Sequence, residues 1–461
     1  MGSLKFDSLP EDVLIQILLY KPKIKQPKKE WRPKKEWNSE MRTLLSISHT
    51  NRALRRLALS TPCLWATLTI EIGLLMYYVN GDNDPEKARR VMRARNEGVL
   101  NLFRLWIERS GEVPLNYEID IRENTPAAND LINLFFEQKY RWRSAKVSFS
   151  GRPQRIPSSG LKNMPYLQNL SITGLNANFQ LETDIDLSES TQLRNLCLKW
   201  VNSSLWRTIM DTIHTQQLTE LELVLTPDVH TRDISDPYIL TSLGSFTNLK
   251  RLYIELNRPG YFNSDEVWNG PPVLLPNLRV LILYEDREEI LEHLNTPSLV
   301  SLFLDIRGDE EHHILNFIRR SSPPLETMHI SMYRREGDDF LRILEEVPTV
   351  KTLSLAYDLL DRRTNKLHDF WSFLSINDSS MDVLLPELTE LYCHIVQYLS
   401  TDLIEEVILF SEALLSRRKY SKNFRFYGEF KDFHHCIKNV LCPMVDGPYG
   451  SSYVRKLFKI S

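Results

Sequence analysis

No stretch of the sequence approaches the ~18 consecutive apolar residues that a membrane helix needs, so no membrane span is expected. Glycine is scarce, 16 in 461 residues, and no glycine-rich phosphate loop is present, which argues against a nucleotide-binding enzyme. No paired-histidine zinc helix of the H-E-x-x-H type occurs either, and no catalytic signature is found. Net charge is only −3, from 57 basic and 60 acidic residues, so a global affinity for nucleic acid is not expected. The five cysteines, Cys63, Cys197, Cys393, Cys436 and Cys442, are scattered, the usage of a reducing compartment rather than a disulfide framework. Lys5 and Asp7 interrupt any apolar run at the start, so no secretory signal is expected. Met1-Gly2 lacks the Ser or Thr of a myristoylation signal, since position 6 is Phe. Glycosylation sequons begin at Asn169, Asn202 and Asn377, and without a secretory signal they mean little. These absences together imply a cytoplasmic or nuclear protein with no cofactor and no metal.

What is present begins near residue 8. Leu9-Pro10-Glu11-Asp12 reads as a helix start: Pro10 suits the first turn, and Asp7 or Ser8 can cap it. Glu11 and Asp12 complement the positive end of the helix dipole. Val13, Leu14, Ile17 and Leu18 share one apolar face. A second amphipathic run spans Leu44 to Leu59 and includes Leu45, Leu54 and Leu57, and it ends in Thr61-Pro62-Cys63-Leu64-Trp65. Two short helices cannot bury their own apolar faces, so a partner is implied. A generic helical hairpin at the start of a larger domain is the plainer alternative.

The order of these pieces resembles the F-box, a helical module that docks on the Skp-family adaptor of cullin-type ubiquitin ligases. The matching residues are Leu9-Pro10, Glu11-Asp12, Val13-Leu14 with Ile17-Leu18, and Thr61-Pro62-Cys63-Leu64-Trp65. The resemblance implies an adaptor-binding set of Leu9, Pro10, Val13, Leu14, Ile17, Leu18, Leu45, Leu54, Leu57 and Trp65. Two features depart from the usual phrase: Leu54 stands where a Trp is often found, and segment 21–40 separates the helices. That segment repeats Pro-Lys-Lys-Glu-Trp at residues 27–31 and 33–37. Proline-punctuated lysine runs read as an exposed loop, either a tolerated insertion or an electrostatic contact with an acidic partner or an import receptor.

From about residue 160 one phrase recurs: Leu, two residues, Leu, one residue, Leu. It starts at Leu167, Leu193, Leu218, Leu249, Leu278, Leu299, Leu325, Val350 and Leu388. Successive starts lie 26, 25, 31, 29, 21, 26, 25 and 38 residues apart. Most fall near the period of leucine-rich repeats, roughly 20–29 residues. Residues two apart on a strand share a face. The last two apolar residues of each phrase therefore point inward, and the residue between them points outward. Helix-period runs lie between the phrases, at Ser204–Ile213, Glu288–Leu294, Ile314–Arg320 and Phe340–Leu344.

Strand alternating with helix at a near-fixed period gives an α/β fold: a parallel inner sheet with an outer helical layer. The expected organisation is an F-box over 5–69, divergent first repeats over 70–160, an irregular leucine-rich-repeat solenoid over 161–400, and a terminal helix with a cap over 401–461. Strands are expected at Leu115–Ile121 and at Trp142–Phe149, with a helix around Leu131–Phe136. This phrasing is similar to that of fungal F-box proteins with degenerate leucine-rich repeats. An ordinary doubly wound α/β domain is the competing fold.

The outward residues of consecutive phrases include Tyr253, Ile282, Phe303 and His329, with Tyr284 one position beyond its phrase. Adjacent strands lie about 4.8 Å apart, so these side chains would form a row that suits a protein target on a concave face. A covering loop or tail that makes them ordinary core is the alternative. His434-His435-Cys436 and Cys442 could form half a metal site but read more simply as a surface loop with thiols. His312-His313 reads as a solvated helix start. The implied function is a non-catalytic, substrate-recognition subunit of a ubiquitin ligase; a scaffold without ubiquitin transfer, or an enzyme on a degenerate α/β fold, are the alternatives.

Overall fold

The computed structural model describes residues 45–46, 48–49, 52–72, 85–122, 125–149, 160–174, 185–201, 203–225, 237–256, 270–284, 289–306, 311–333, 338–358, 371–372, 374–376, 383–396 and 404–430. The expected first helix with Leu9, Pro10, Val13, Leu14, Ile17 and Leu18, the basic segment 21–40, and His434 to Cys442 lie outside these residues. The chain divides into two compact units, Met1–Leu218 with Asp228–His230, and Thr219–Pro227 with Thr231–Ser461. The division falls inside the span expected to be one repeat array.

The first unit runs α1 (Arg52–Ser60), a 3-10 turn (Pro62–Trp65), β1 (Thr67–Ile72), α2 (Pro85–Ser110), β2 (Leu115–Ile121), α3 (Pro126–Glu137), β3 (Trp142–Phe149), β4 (Asn169–Thr173), β5 (Asn195–Val201) and α4 (Ser203–Met210). The strands stand in chain order β1-β2-β3-β4-β5, and neighbours are parallel. The strict alternation of Leu115–Ile121 becomes a strand whose every second residue is buried. Helix α3 starts as its sequence dictates: Pro126 sits in the first turn, and the Thr125 hydroxyl accepts the Ala128 N–H at 3.2 Å.

Helix α2 is a feature the hydrophobic pattern leaves faint, because its first turns are mostly charged. Among its described side chains the buried apolar ones, Val99, Leu100, Phe103 and Trp106, lie in the C-terminal half. These residues join an aromatic cluster. Trp65 meets Trp106 edge-on at 4.6 Å, Phe103 meets Tyr117 at 5.5 Å, and Phe135 meets Trp142 at 4.3 Å. Each such pair contributes about 0.5–1.5 kcal/mol beyond simple burial. Arg141, almost wholly buried, reaches the end of α2, where it donates to the Ser110 hydroxyl at 2.9 Å and the Val113 carbonyl at 3.0 Å. Carbonyl groups at a helix end have no helical partner of their own, so the guanidinium supplies one.

The second unit runs β6 (Glu220–Leu225), α5 (Pro237–Leu243), β7 (Arg251–Leu256), β8 (Val273–Leu274), β9 (Val280–Tyr284), α6 (Glu289–Glu292), β10 (Leu294–Asn295), β11 (Ser301–Ile306), α7 (Glu311–Ser321), β12 (Thr327–Tyr333), α8 (Asp338–Glu345), β13 (Thr352–Asp358), β14 (Glu390–Val396), α9 (Ile404–Tyr420) and β15 (Arg425–Phe430). Its strands stand in the order β6-β7-β9-β11-β12-β13-β14-β15, all parallel, with β8 and β10 forming a small separate pair.

Every apolar residue of the recurring phrase is buried, from Leu218, Leu221 and Leu223 to Leu388, Leu391 and Cys393. The first of the three sits on a tight turn. Its N–H donates three residues back, as in Leu249 to Phe246, Leu278 to Leu275 and Leu299 to Thr296. The residue after that turn then offers one carbonyl to two N–H groups of the next repeat. Lys250 accepts from Arg279 and Val280, Arg279 from Val300 and Ser301, and Val300 from Glu326 and Thr327. This shared acceptor fixes the register of each new strand before its ladder begins.

After α9, within the span 401–461 expected to hold a helix and a cap, Arg425–Phe430 is a further strand in register with β14. Its alternation, with buried Phe424 and Phe426 flanking exposed Arg425, lies in a short segment rich in charge, and it lacks the leucine phrase.

Two backbone sites carry testable consequences. Gly174 has φ of +89°, and a Cβ there would stand 1.9 Å from the Phe149 carbonyl oxygen. Gly174→Ala is expected to cost about 1–3 kcal/mol in urea unfolding, from left-handed backbone and collision together. Arg417 is 1% exposed and donates to the carbonyls of Leu374 at 2.8 Å, Leu385 at 2.7 Å and Leu384, where Leu385 has φ of +50°. Arg417→Met is expected to destabilise the second unit by about 3 kcal/mol, and Arg417→Lys to recover only part, because a single ammonium cannot span that fork of carbonyls. Thermal melts of both variants check this.

Candidate functional site

In-register pairing turns the alternation of each strand into rows across the second unit. The central outward row reads Glu222, Tyr253, Ile282, Phe303, His329, Ser354, Tyr392 and Tyr427, each directly opposite the next. All eight are half-buried, while the residues on either side of each within β6, β7, β9, β11, β12 and β13 that point inward are buried. The row therefore stands on the sheet face away from the leucine core. A second row, two residues on, holds Glu255, Tyr284, Asp305 and Ser331. Tyr284 is 40% exposed, the most open aromatic among the described strand side chains of this unit.

The structure thus brings the expected Tyr253, Ile282, Tyr284, Phe303 and His329 onto one face. Ring contacts run along it: Tyr253 to Tyr284 at 5.5 Å, Phe303 to His329 at 5.9 Å, and Tyr392 stacked on Tyr427 at 4.5 Å with planes 10° apart. Tyr427 and its stacking fall outside the sequence-based set, because the signal that would find them, a strand after α9, is not marked by leucines.

Carboxylates accompany the rings. The Tyr253 hydroxyl donates to Glu255 Oε2 at 2.6 Å, and the Tyr392 hydroxyl to Glu390 Oε2 at 3.2 Å. Burial and then the Glu255 bond hold the Tyr253 hydroxyl well above its ordinary pKa, so it remains a donor at neutral pH. Tyr392 is raised as well, by desolvation and then by Glu390. Burial lowers the His329 pKa, with Asp305 opposing, so the imidazole is neutral near pH 7. Its Nδ1 lies 2.7 Å from the Ser354 hydroxyl.

The adaptor-facing expectation fares differently. Leu45 and Leu54 are half-buried. Leu57 is 4% exposed and Trp65 is fully buried, so this chain uses both internally and neither offers a surface. Trp65 donates its indole N–H to the Ala58 carbonyl at 2.6 Å, packs on Trp106, and lies under the Arg109 guanidinium at 4.4 Å. The physical reason is the 3-10 turn Pro62–Trp65, which folds the indole back between α1 and α2.

Among the described residues, Glu292, His312 and His313 bring their potential ligand atoms within 4.8 Å of one another. His313, read from sequence as solvated, is buried and bonds Glu292 Oε1 at 2.5 Å. This contact ties α6 to α7. Arg320 stands close to Glu292 as well and donates to the Leu291 and Leu294 carbonyls.

Among known proteins, no family model matches the chain and no curated protein matches it significantly.

The two faces of a strand give a direct test. Leu302 is fully buried and Phe303 half-buried. Leu302→Ala is expected to cost about 2–5 kcal/mol and Phe303→Ala well under half of that, measured by urea unfolding of the intact chain.

Proposed function

We propose that this chain is a non-catalytic recognition subunit of a cullin-type ubiquitin ligase, with an F-box-like N-terminus and leucine-rich-repeat-like units that hold a target protein. The single observation that carries the target half is the in-register row of half-exposed aromatic side chains on β7 to β15. Such side chains gain from a partner that covers them, and Tyr is over-represented among interface hot spots. The adaptor half rests on Leu9-Pro10, the apolar pairs Val13-Leu14 and Ile17-Leu18, and Thr61 to Trp65. The chain would then act as a tether that raises the local concentration of target lysines near a charged conjugating enzyme.

A second reading, a protein-binding scaffold without ubiquitin transfer, draws support from one observation: Leu57 and Trp65 are committed to the interior of the first unit. Under the preferred reading the adaptor is held mainly by the face of Leu9, Val13, Leu14, Ile17 and Leu18.

Co-purification of the full chain with a Skp-type adaptor separates the two. Adaptor capture is expected for the native chain and is expected to be lost in Ile17→Asp, since burying an unpaired carboxylate costs several kcal/mol. Undiminished capture by a folded Ile17→Asp chain would contradict the F-box reading.

A further inference from the structure

The aromatic row is strongly acidic at one end. Glu222, Glu255 and Asp305 lie on β6, β7 and β11, in the same two outward rows as Tyr253, Ile282, Tyr284 and Phe303. Neither row carries a Lys or Arg over β6 to β12, among the described residues. Among the described residues of these strands, the basic side chain on this face is Arg251, one row back and opposite Glu220. Tyr284 has a particular place in this pattern. It is paired directly with Glu255 on one side and Asp305 on the other. With strands about 4.8 Å apart, the two carboxylate-bearing strands flank the ring at roughly equal distance. Tyr253 supplies a second ring at 5.5 Å, tilted by 33°, and holds Glu255 Oε2 by its hydroxyl.

We propose that Tyr284, Tyr253, Glu255 and Asp305 form a receptor for a cationic side chain, arginine before lysine, carried by the protein segment that this face recognises. The proposal rests on the recognition reading above and names the chemistry of its target. A cation within about 6 Å of an aromatic face is attracted by the ring quadrupole, and a carboxylate on each side adds charge complementarity. Arginine is favoured because its guanidinium is planar and weakly hydrated: it stacks on a ring while its edge donates to carboxylates. Ile282, two residues before Tyr284 and opposite both Tyr253 and Phe303, offers apolar surface for the aliphatic stem. His329 at the far side of Phe303 is held neutral by burial, so it adds no charge to repel the ligand.

The test uses the full chain and fluorescent Gly/Ser peptides that carry two arginines, two lysines, or two citrullines, the neutral isostere of arginine. Fluorescence anisotropy at low salt reads binding. The arginine peptide is expected to bind, the lysine peptide more weakly, and the citrulline peptide at least about tenfold more weakly. Tyr284→Ala and the pair Glu255→Gln with Asp305→Asn are each expected to lose about tenfold, whereas Tyr284→Phe keeps a ring and most of the affinity. Tyr284 is open enough that its removal leaves the melting temperature nearly unchanged; should it not, the carboxylate pair decides between the two outcomes. Three results overturn the proposal: no binding of the arginine peptide, equal binding of the citrulline peptide, or equal weakening by Glu412→Gln, an exposed carboxylate on α9. Adaptor capture, measured on the same proteins, is expected to stay intact in all these variants. Its absence in the native chain would remove the ligase reading and leave the cation receptor standing.

Discussion

The constraint on which the second unit depends is the register of its parallel strands. From β6 to β14, one backbone carbonyl in each repeat accepts two N–H groups from the next, so none of the strands β7, β9 and β11 to β14 can slip by a residue without losing both bonds. A slip would also turn every buried leucine of that strand outward and every half-exposed residue inward. The leucine core and the aromatic row are thus two consequences of one alignment. Because pairing is residue to residue from β6 to β15, a side chain chosen at one position finds its neighbour at a set spacing on the next strand. That is how residues far apart in sequence, such as Glu222 and Tyr427, come to share one row.

Buried and half-buried arginines serve the same architecture at its corners. Turns that lead into strands leave carbonyl groups inside the core, where each unsatisfied group costs roughly 1–3 kcal/mol. Arg141 satisfies the Ser110 carbonyl at the end of α2 and the Val113 carbonyl beyond it, Arg320 the carbonyls of Leu291 and Leu294, and Arg417 those of Leu374, Leu384 and Leu385. Burial lowers the pKa of Arg417 to about 10, so it still carries its charge at neutral pH. A lysine would supply the charge without the spread of donors.

Much of this was legible in the chain itself. The phrase Leu-x-x-Leu-x-Leu located β4 to β7, β9 and β11 to β14, because period-two alternation next to a turn admits few other structures. The outward placement of Tyr253, Ile282, Phe303 and His329 followed from the same alternation. Other features were hidden. Helix α2 was obscured because its first turns carry charge in place of an apolar stripe. Strand β15 lacks leucines, so Tyr427 and its stack on Tyr392 went unseen. The inward turn of Trp65 depends on α2, a contact that a local motif cannot encode. The buried partnership of His313 with Glu292 was likewise invisible, because it joins residues that are 21 apart in sequence.

The central claim is that the aromatic face captures a protein whose modification depends on the N-terminal module. A photo-crosslinking phenylalanine analogue placed at Tyr284 tests both halves in one measurement, with the same analogue at the exposed Tyr166 as reference. The account predicts a discrete crosslinked protein at position 284 and none at 166, and a ubiquitin load on that protein that falls when Ile17→Asp is introduced. Crosslinks that are equal at the two positions, or a ubiquitin load indifferent to Ile17→Asp, would contradict it.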